Sequence, residues 1–231
     1  MDLQGGLDLS RRQLNNFEKP YKWQTSELVA YAQEARNIIC REVKCLIDSD
    51  TTYTDSPCLI ETEVGVLDYV LSPLVIDILA DGVILVVSST DRRILDKTTR
   101  AAAFRTYSGW RNVANMKPTK FMTDYQAGYL TFNAPLDGVY NIELSIVRYP
   151  LEDLSASDLD AHLEIPVAYH DALFRWGVGY QACLKPGENT YDPEKSQRYE
   201  DKFRKEVARF KAAFNRSNAG NEEAGFHEGC M

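Results

Sequence analysis

The sequence predicts an α+β protein, a helical bundle of one N-terminal and two C-terminal helices with an antiparallel β-sheet domain inserted between them. Three observations carry this. Apolar residues recur at helical spacing near Ser26–Leu46 and again after Pro166; residues 58–149 instead alternate or run apolar in short stretches bounded by turn residues; and a 231-residue chain that is 44% apolar and 11% aromatic has enough side chain to bury a substantial core.

Residues 1–24 are polar, contain two glycines and keep no sustained period, which predicts an N-terminal arm that orders only against something else. From Ser26 to about Leu46, Leu28, Ala32, Ala35, Ile39, Val43 and Leu46 line one helical face, with Thr25 or Ser26 placed to cap it. "DSDTTYTDSP" supplies turn residues up to Pro57, so residues 25–57 form the first part of the helical domain.

Residues 58–149 read as the β domain. "CLIETEV" alternates Ile60, Thr62 and Val64 on one side, and "VILVV" at 83–87 suits a strand covered on both faces. "YLTF" at 129–132 and "VYNIELSIVRY" at 139–149 flank a Pro and Asp-Gly turn and predict a hairpin, with Tyr140, Ile142, Leu144 and Ile146 on one face. The mixed-charge stretch 91–127 allows either a strand pair with a protruding loop or a short helix around Ala101–Arg105.

Residues 150–216 return to helix. Pro166 suits a first helical position, and apolar residues crowd the circumference from Val167 to Leu184, which predicts burial. Gly177 and Gly179 each cost about 1 kcal/mol relative to Ala in a helix interior, a cost that close approach of a neighbouring backbone would offset. A second helix from about Pro193 to Arg216 carries Tyr199, Phe203, Val207, Phe210 and Phe214 as an amphipathic stripe. Residues 217–231, polar and Gly-rich with Phe226 and Met231 as isolated apolar points, read as a flexible tail.

The chemistry-bearing residues are sparse. His170 and Asp171 are adjacent, and adjacent helical side chains point about 100° apart, so Asp171 cannot orient the imidazole as a catalytic carboxylate would. Cys183 lies more than three turns beyond His170, and the three histidines match no metal-ligand spacing. The odd set of five cysteines lacks paired short spacings and predicts free, mostly buried thiols. The acidic stretch from Glu152 to Glu164 lacks the spacing and glycine of a calcium loop and reads as a solvated linker. No metal or cofactor is expected. Neither a membrane span nor the apolar centre of a signal peptide is present in the sequence, so the protein is expected to be made and kept in the cytoplasm.

Charge is unevenly distributed. The net charge is −8, yet Glu194 to Arg216 carries eight basic and four acidic residues, leaving −12 for everything else. Most of the surface should repel nucleic acid. Glu194–Arg198, Glu200–Arg204 and Asp201–Lys205 are spaced for helix-stabilising pairs, so this helix is expected to dock on an acidic neighbour or on another copy of the chain, through Lys195, Arg198, Lys202, Arg209 and Lys211.

The order helix, sheet, two helices, together with "GYLTFNAPLDGVYNIELSIVRYPLEDLSASDLDAHLEIPVAYHDALFRWGVGYQACL", resembles the head-to-tail adaptor (connector) proteins of tailed, especially short-tailed, bacteriophages. The resemblance lies in a hairpin ending in Tyr-Pro, a Leu/Ser/Asp-rich segment, "IP", and a helix with an early histidine; "ELVAYAQEARNIICREV" looks like the family's first helix. It implies a structural virion protein without enzymatic activity. Such a protein forms a homo-oligomeric ring, usually dodecameric, beneath the portal protein, extends the DNA channel and offers a platform to a tail nozzle or tail tube protein. Genomic DNA would pass without sequence-specific binding. Portal docking falls to the C-terminal tail, through Asn218, Phe226 and Met231. The competing classes are a virion-associated cell-wall hydrolase using Glu61, Glu63 and Asp68, and a DNA-binding packaging factor using Lys195 to Arg216.

Overall fold

The structure is a computed structural model that describes residues 1–16, 21–106, 109–187 and 189–224, with side chains described as far as 216. The chain divides into two compact units, Met1–Leu46 with Tyr149–Met231, and Ile47–Arg148.

The first unit is helical. The described part of the N-terminal segment is not a loose arm: Leu3–Gln13 form helix α1, whose first turn is capped by the Asp2 carboxylate accepting from the Gly5 N–H at 2.8 Å. Leu3 and Leu7 are fully buried, and one of the two glycines has a packing role. A Cβ on Gly6 would lie 2.1 Å from the Phe174 ring, so only glycine lets that ring sit against the helix.

Helix α2 (Thr25–Val43) buries Leu28, Ala32, Ala35, Ile39 and Val43 as the spacing requires, and ends before Leu46 because Lys44 turns left-handed at φ 60°. Its N-terminus is satisfied by neither Thr25 nor Ser26; instead the Glu27 carboxylate accepts from the Gln24 N–H at 2.7 Å.

The stretch after Pro166 is one buried helical run of changing pitch. A 3₁₀ turn, Val167–Tyr169, leads into α4 (His170–Ala172), a π-helical segment Leu173–Gly177, and α5 (Val178–Ala182). Pro166 is extended, at φ −55° and ψ 140°, so it precedes the run rather than opening it. The Phe174 carbonyl in the widened segment is met by the Ser10 hydroxyl of α1 at 2.8 Å. The two interior glycines pack against side chains rather than a backbone. A Cβ on Gly177 would lie 2.7 Å from the Ala35 Cβ, and one on Gly179 would lie 2.7 Å from the Tyr199 ring.

Helix α6 runs Pro193–Ala224, so its last eight residues are helical where a flexible tail was expected. Asp192 accepts from the Lys195 N–H at 2.9 Å at its start. Tyr199, Phe203 and Val207 are buried and Phe210 and Phe214 half-buried, so the stripe loses cover toward the C-terminus. The acidic stretch 152–164 is tied down as well. Arg36, 1% exposed, donates to the Glu152 carbonyl at 2.7 Å, and Gln33 donates to Asp153 at 2.6 Å.

The second unit is two sheets around one core. The larger holds β1 (Ile47–Asp48), β2 (Leu59–Glu61), β9 (Asn141–Arg148), β4 (Val75–Val86) and β5 (Arg92–Ile94): β1 and β2 both pair with β9, which pairs with β4, which pairs with β5, every pair antiparallel. The smaller runs β3 (Asp68–Val70), β8 (Tyr129–Phe132), β7 (Lys120–Met122), β6 (Asp96–Lys97), with β6 and β7 parallel. Leu85, Ile142, Leu144, Phe121, Leu130 and Phe132 meet between the sheets, fully or almost fully buried.

The hairpin expected from 129–149 is absent, because β8 and β9 belong to different sheets. The turn residues are present, but Ala134, Pro135 and Leu136 are buried, and the chain crosses from one sheet to the other through the core. Residues 91–127 contain both of the alternatives left open, a strand pair, β6 with β7, and between its strands the helix α3 (Arg100–Thr106), while β5 pairs with β4. At the base of β9, Arg148 and Asp48 form an ion pair at 2.6 Å, with side chains only 13% and 12% exposed.

Replacing Gly177 with Ala tests the packing directly. In an open helix this change would stabilise by about 1 kcal/mol. Against Ala35 it should instead destabilise by roughly 1–3 kcal/mol, read from the denaturant midpoint of the helical signal.

Candidate interaction surfaces

His170 and Asp171 separate as the helical geometry demands. His170 is buried, with Nε2 donating to the Ile165 carbonyl at 3.0 Å, while Asp171 is exposed and accepts from Arg175 one turn on at 2.7 Å. His170 Nδ1 is buried without a hydrogen bond, and burial holds the imidazole pKa below its usual value. Cys40, Cys58 and Cys183 are buried and Cys45 half-buried, all four free; Cys230 lies outside the described residues. Burial pushes the Cys58 thiol up to about 11.

The three carboxylates weighed for catalysis do different things. Asp68 sits on β3, paired with Arg111 at 2.5 Å and accepting from the Thr131 hydroxyl at 2.7 Å. Burial alone would raise its pKa; the hydrogen bonds from Arg111 and Thr131 and the Arg111 charge outweigh that and hold it below the ordinary carboxylate range. Glu61 and Glu63 are exposed at and beyond the end of β2. No cluster of three or more metal-ligating side chains occurs among the described residues.

The basic side chains of α6 form an exposed, internally braced surface. Arg204 pairs with Glu200 at 2.6 Å as the spacing predicts. The other two expected pairs make different contacts: Arg198 donates to the backbone carbonyl of Glu194 at 3.3 Å, and Asp201 accepts from Gln197 at 3.0 Å. Lys202 lies 4.3 Å over the Trp176 ring and Lys195 5.5 Å over Tyr199. Arg209 stands 3.5 Å from Glu206, and Lys211 3.9 Å from Glu42 on α2. Between α2 and α6 lies an open groove of about 300 Å³, lined by Ile38, Arg41, Glu42, Tyr180, Arg204 and Lys211 among others. Asn218 falls in the helix beyond the described side chains, and Phe226 and Met231 lie outside the described residues.

A second charged surface lies in the sheet unit. Residues 47–90 carry eight carboxylates and no lysine or arginine; residues 92–120 carry eight lysines and arginines against one carboxylate, Asp96. This signal was present in the sequence and is hidden when charge is summed over the whole unit. α3 buries none of its residues, and its first N–H is held by Asp124 at 2.9 Å. Beside it the Arg111 guanidinium stacks 4.6 Å from the Tyr125 ring centre and Arg100 5.4 Å from the same ring. Trp110 packs edge-on against Tyr125 at 5.6 Å.

The model of the protein family described as SU10 adaptor protein matches residues 1–223. A search of curated proteins found none that matches.

The buried imidazole gives a pH dependence of definite sign. The unfolded chain takes up a proton near its ordinary pKa of about 6.5 before the folded chain does, so stability falls as the pH drops from there toward the lower folded-state value. Denaturant midpoints at pH 7.5 and 5.5 should differ in the wild type, and by less in His170→Gln.

Proposed function

Because the chain belongs to the SU10 adaptor protein family, a family of bacteriophage structural adaptors, we propose that copies of it form a ring beneath the portal protein of the capsid. The ring extends the DNA channel and offers a platform to a tail nozzle or tail tube protein. The family match across residues 1–223 carries this reading, and the charge distribution supports it.

A net charge of −8 disfavours lasting contact with a phosphate backbone, so genomic DNA passes through without sequence-specific binding. The exposed face of α6, with Lys195, Arg198, Lys202, Arg209 and Lys211, meets a neighbouring copy or partner. Its cations are already held by rings and carboxylates of their own unit, which lowers the side-chain entropy lost on docking. The C-terminal segment, with Asn218, Phe226 and Met231, docks on the portal, and the assembled protein resides at the head–tail junction of the virion.

Native mass measurement and negative-stain imaging test this, with the protein alone and mixed with the portal ring from the same genome. The expected result is a ring capping the portal, with little assembly of the protein alone; a protein that ignores the portal and stays monomeric overturns the reading. Deleting residues 217–231 should abolish attachment while leaving the thermal transition of the rest in place. Attachment that survives the deletion moves the docking site elsewhere.

A further inference from the structure

We propose that the larger sheet continues from one copy of the chain into the next, with β5 of one copy pairing antiparallel to β2 of its neighbour. This deepens the ring reading above and rests on it.

The two strands are the open edges of one sheet. Among the described residues, β5 has β4 on one side and no strand on the other, and β2 pairs with β9 alone. The hydrogen bonds identify which backbone groups remain unpaired. Leu95 donates to Val83 and Val87 to Asp91, so the odd-numbered residues of β5 face β4, and Arg92 and Ile94 point their N–H and C=O outward. On the other edge, Leu144 donates to Cys58 and Thr62 to Tyr140, so Leu59 and Glu61 are the residues facing away from β9. Arg92, Ile94 and Glu61 are exposed, Ile94 at 64%; the Arg92 guanidinium pairs with Glu143 on β9 of its own copy, so a neighbour's Glu61 would share that cation.

Direction and register also agree. β2, β9, β4 and β5 alternate in direction, so the first and last run opposite, and a neighbour added in the same orientation presents its β2 antiparallel to β5. The registers define two rows across the sheet, Glu61–Asn141–Val86–Arg92 and Leu59–Glu143–Ile84–Ile94. Continued in register, Arg92 stands opposite the next copy's Glu61 and Ile94 opposite its Leu59. An ion pair and an apolar pair thus coincide with the outward-facing positions, where Arg92, Ile94 and Glu61 and the Leu59 carbonyl offer their backbone groups and the Leu59 N–H, which donates to the Ser56 carbonyl at 3.3 Å, would have to exchange that turn contact. Charge favours the same order, since β2 lies in the stretch of eight carboxylates and no base, and β5 opens the stretch of eight bases.

A contact between two different edges is head-to-tail, the type that closes into a ring when its rotation permits. Both strands have only three residues, so the contact is small and would depend on a template to hold copies side by side.

Ring assembly on the portal, imaged with wild type and variants, tests this. Ile94→Pro removes an outward N–H without touching the β4 ladder, and Glu61→Lys sets like charges across the contact. Both should lose the ring while keeping the wild-type circular dichroism spectrum, and adding Arg92→Glu to Glu61→Lys should restore it. Should Ile94→Pro fail to fold, the charge-swap pair decides alone. Rings that survive in both single variants, or a loss that the swap does not restore, overturn the edge pairing and leave the ring to another surface. No ring with wild type overturns the ring reading and this proposal together. Salt-sensitive duplex DNA binding that Arg100→Glu with Arg105→Glu abolishes, in a chain whose ring survives Glu61→Lys, would assign the basic flank to nucleic acid and overturn it too.

Discussion

The helical unit depends on close approach at three glycines. Gly6, Gly177 and Gly179 stand where a Cβ would lie within 3 Å of Phe174, Ala35 and Tyr199, and those neighbours belong to the buried run, α2 and α6. Protein interiors have little free volume to absorb a misfit, so these contacts fix how near the helices come and which faces meet. The change of pitch at Leu173–Gly177 belongs to the same packing, because the Phe174 carbonyl there is satisfied by Ser10 of α1. Ordering the N-terminal residues and accommodating the widened turn are thus one problem with one solution.

The sheet unit is organised around β9. It carries β1 and β2 on one side and β4 on the other, and its Ile142, Leu144 and Ile146 supply the centre of the core. Asp48 and Arg148 lock its end through a nearly buried ion pair, the kind of contact that is costly to break from one side, by about 3–5 kcal/mol. Around that frame the charges sort by sequence position, acidic before Asp91 and basic after it, and the sheet order carries the two halves to opposite edges.

These features accord with the structural role that the family match suggests. Three of the titratable groups that first attract notice are engaged in holding the fold: His170 donates to Ile165, Asp171 meets Arg175, and Asp68 meets Arg111 and Thr131. What remains exposed is surface, namely the braced cations of α6, an unburied α3, and two short strand edges of opposite charge.

The sequence by itself determined the α+β class, the inward faces of α2 and α6, the core residues of β9, the separation of His170 from Asp171, and the adaptor resemblance. All of these follow from local periodicity or from the order of elements along the chain. Only the tertiary structure decided that residues 3–13 are a helix, because Gly6 reads as a breaker until the Phe174 ring is placed against it. It also decided that β8 and β9 lie in different sheets. An alternating strand looks the same whichever neighbour it takes, and pairing is settled by contacts between residues far apart in sequence. The free edges of the larger sheet, and the rows that end in Glu61 and Arg92, exist only once that pairing is made.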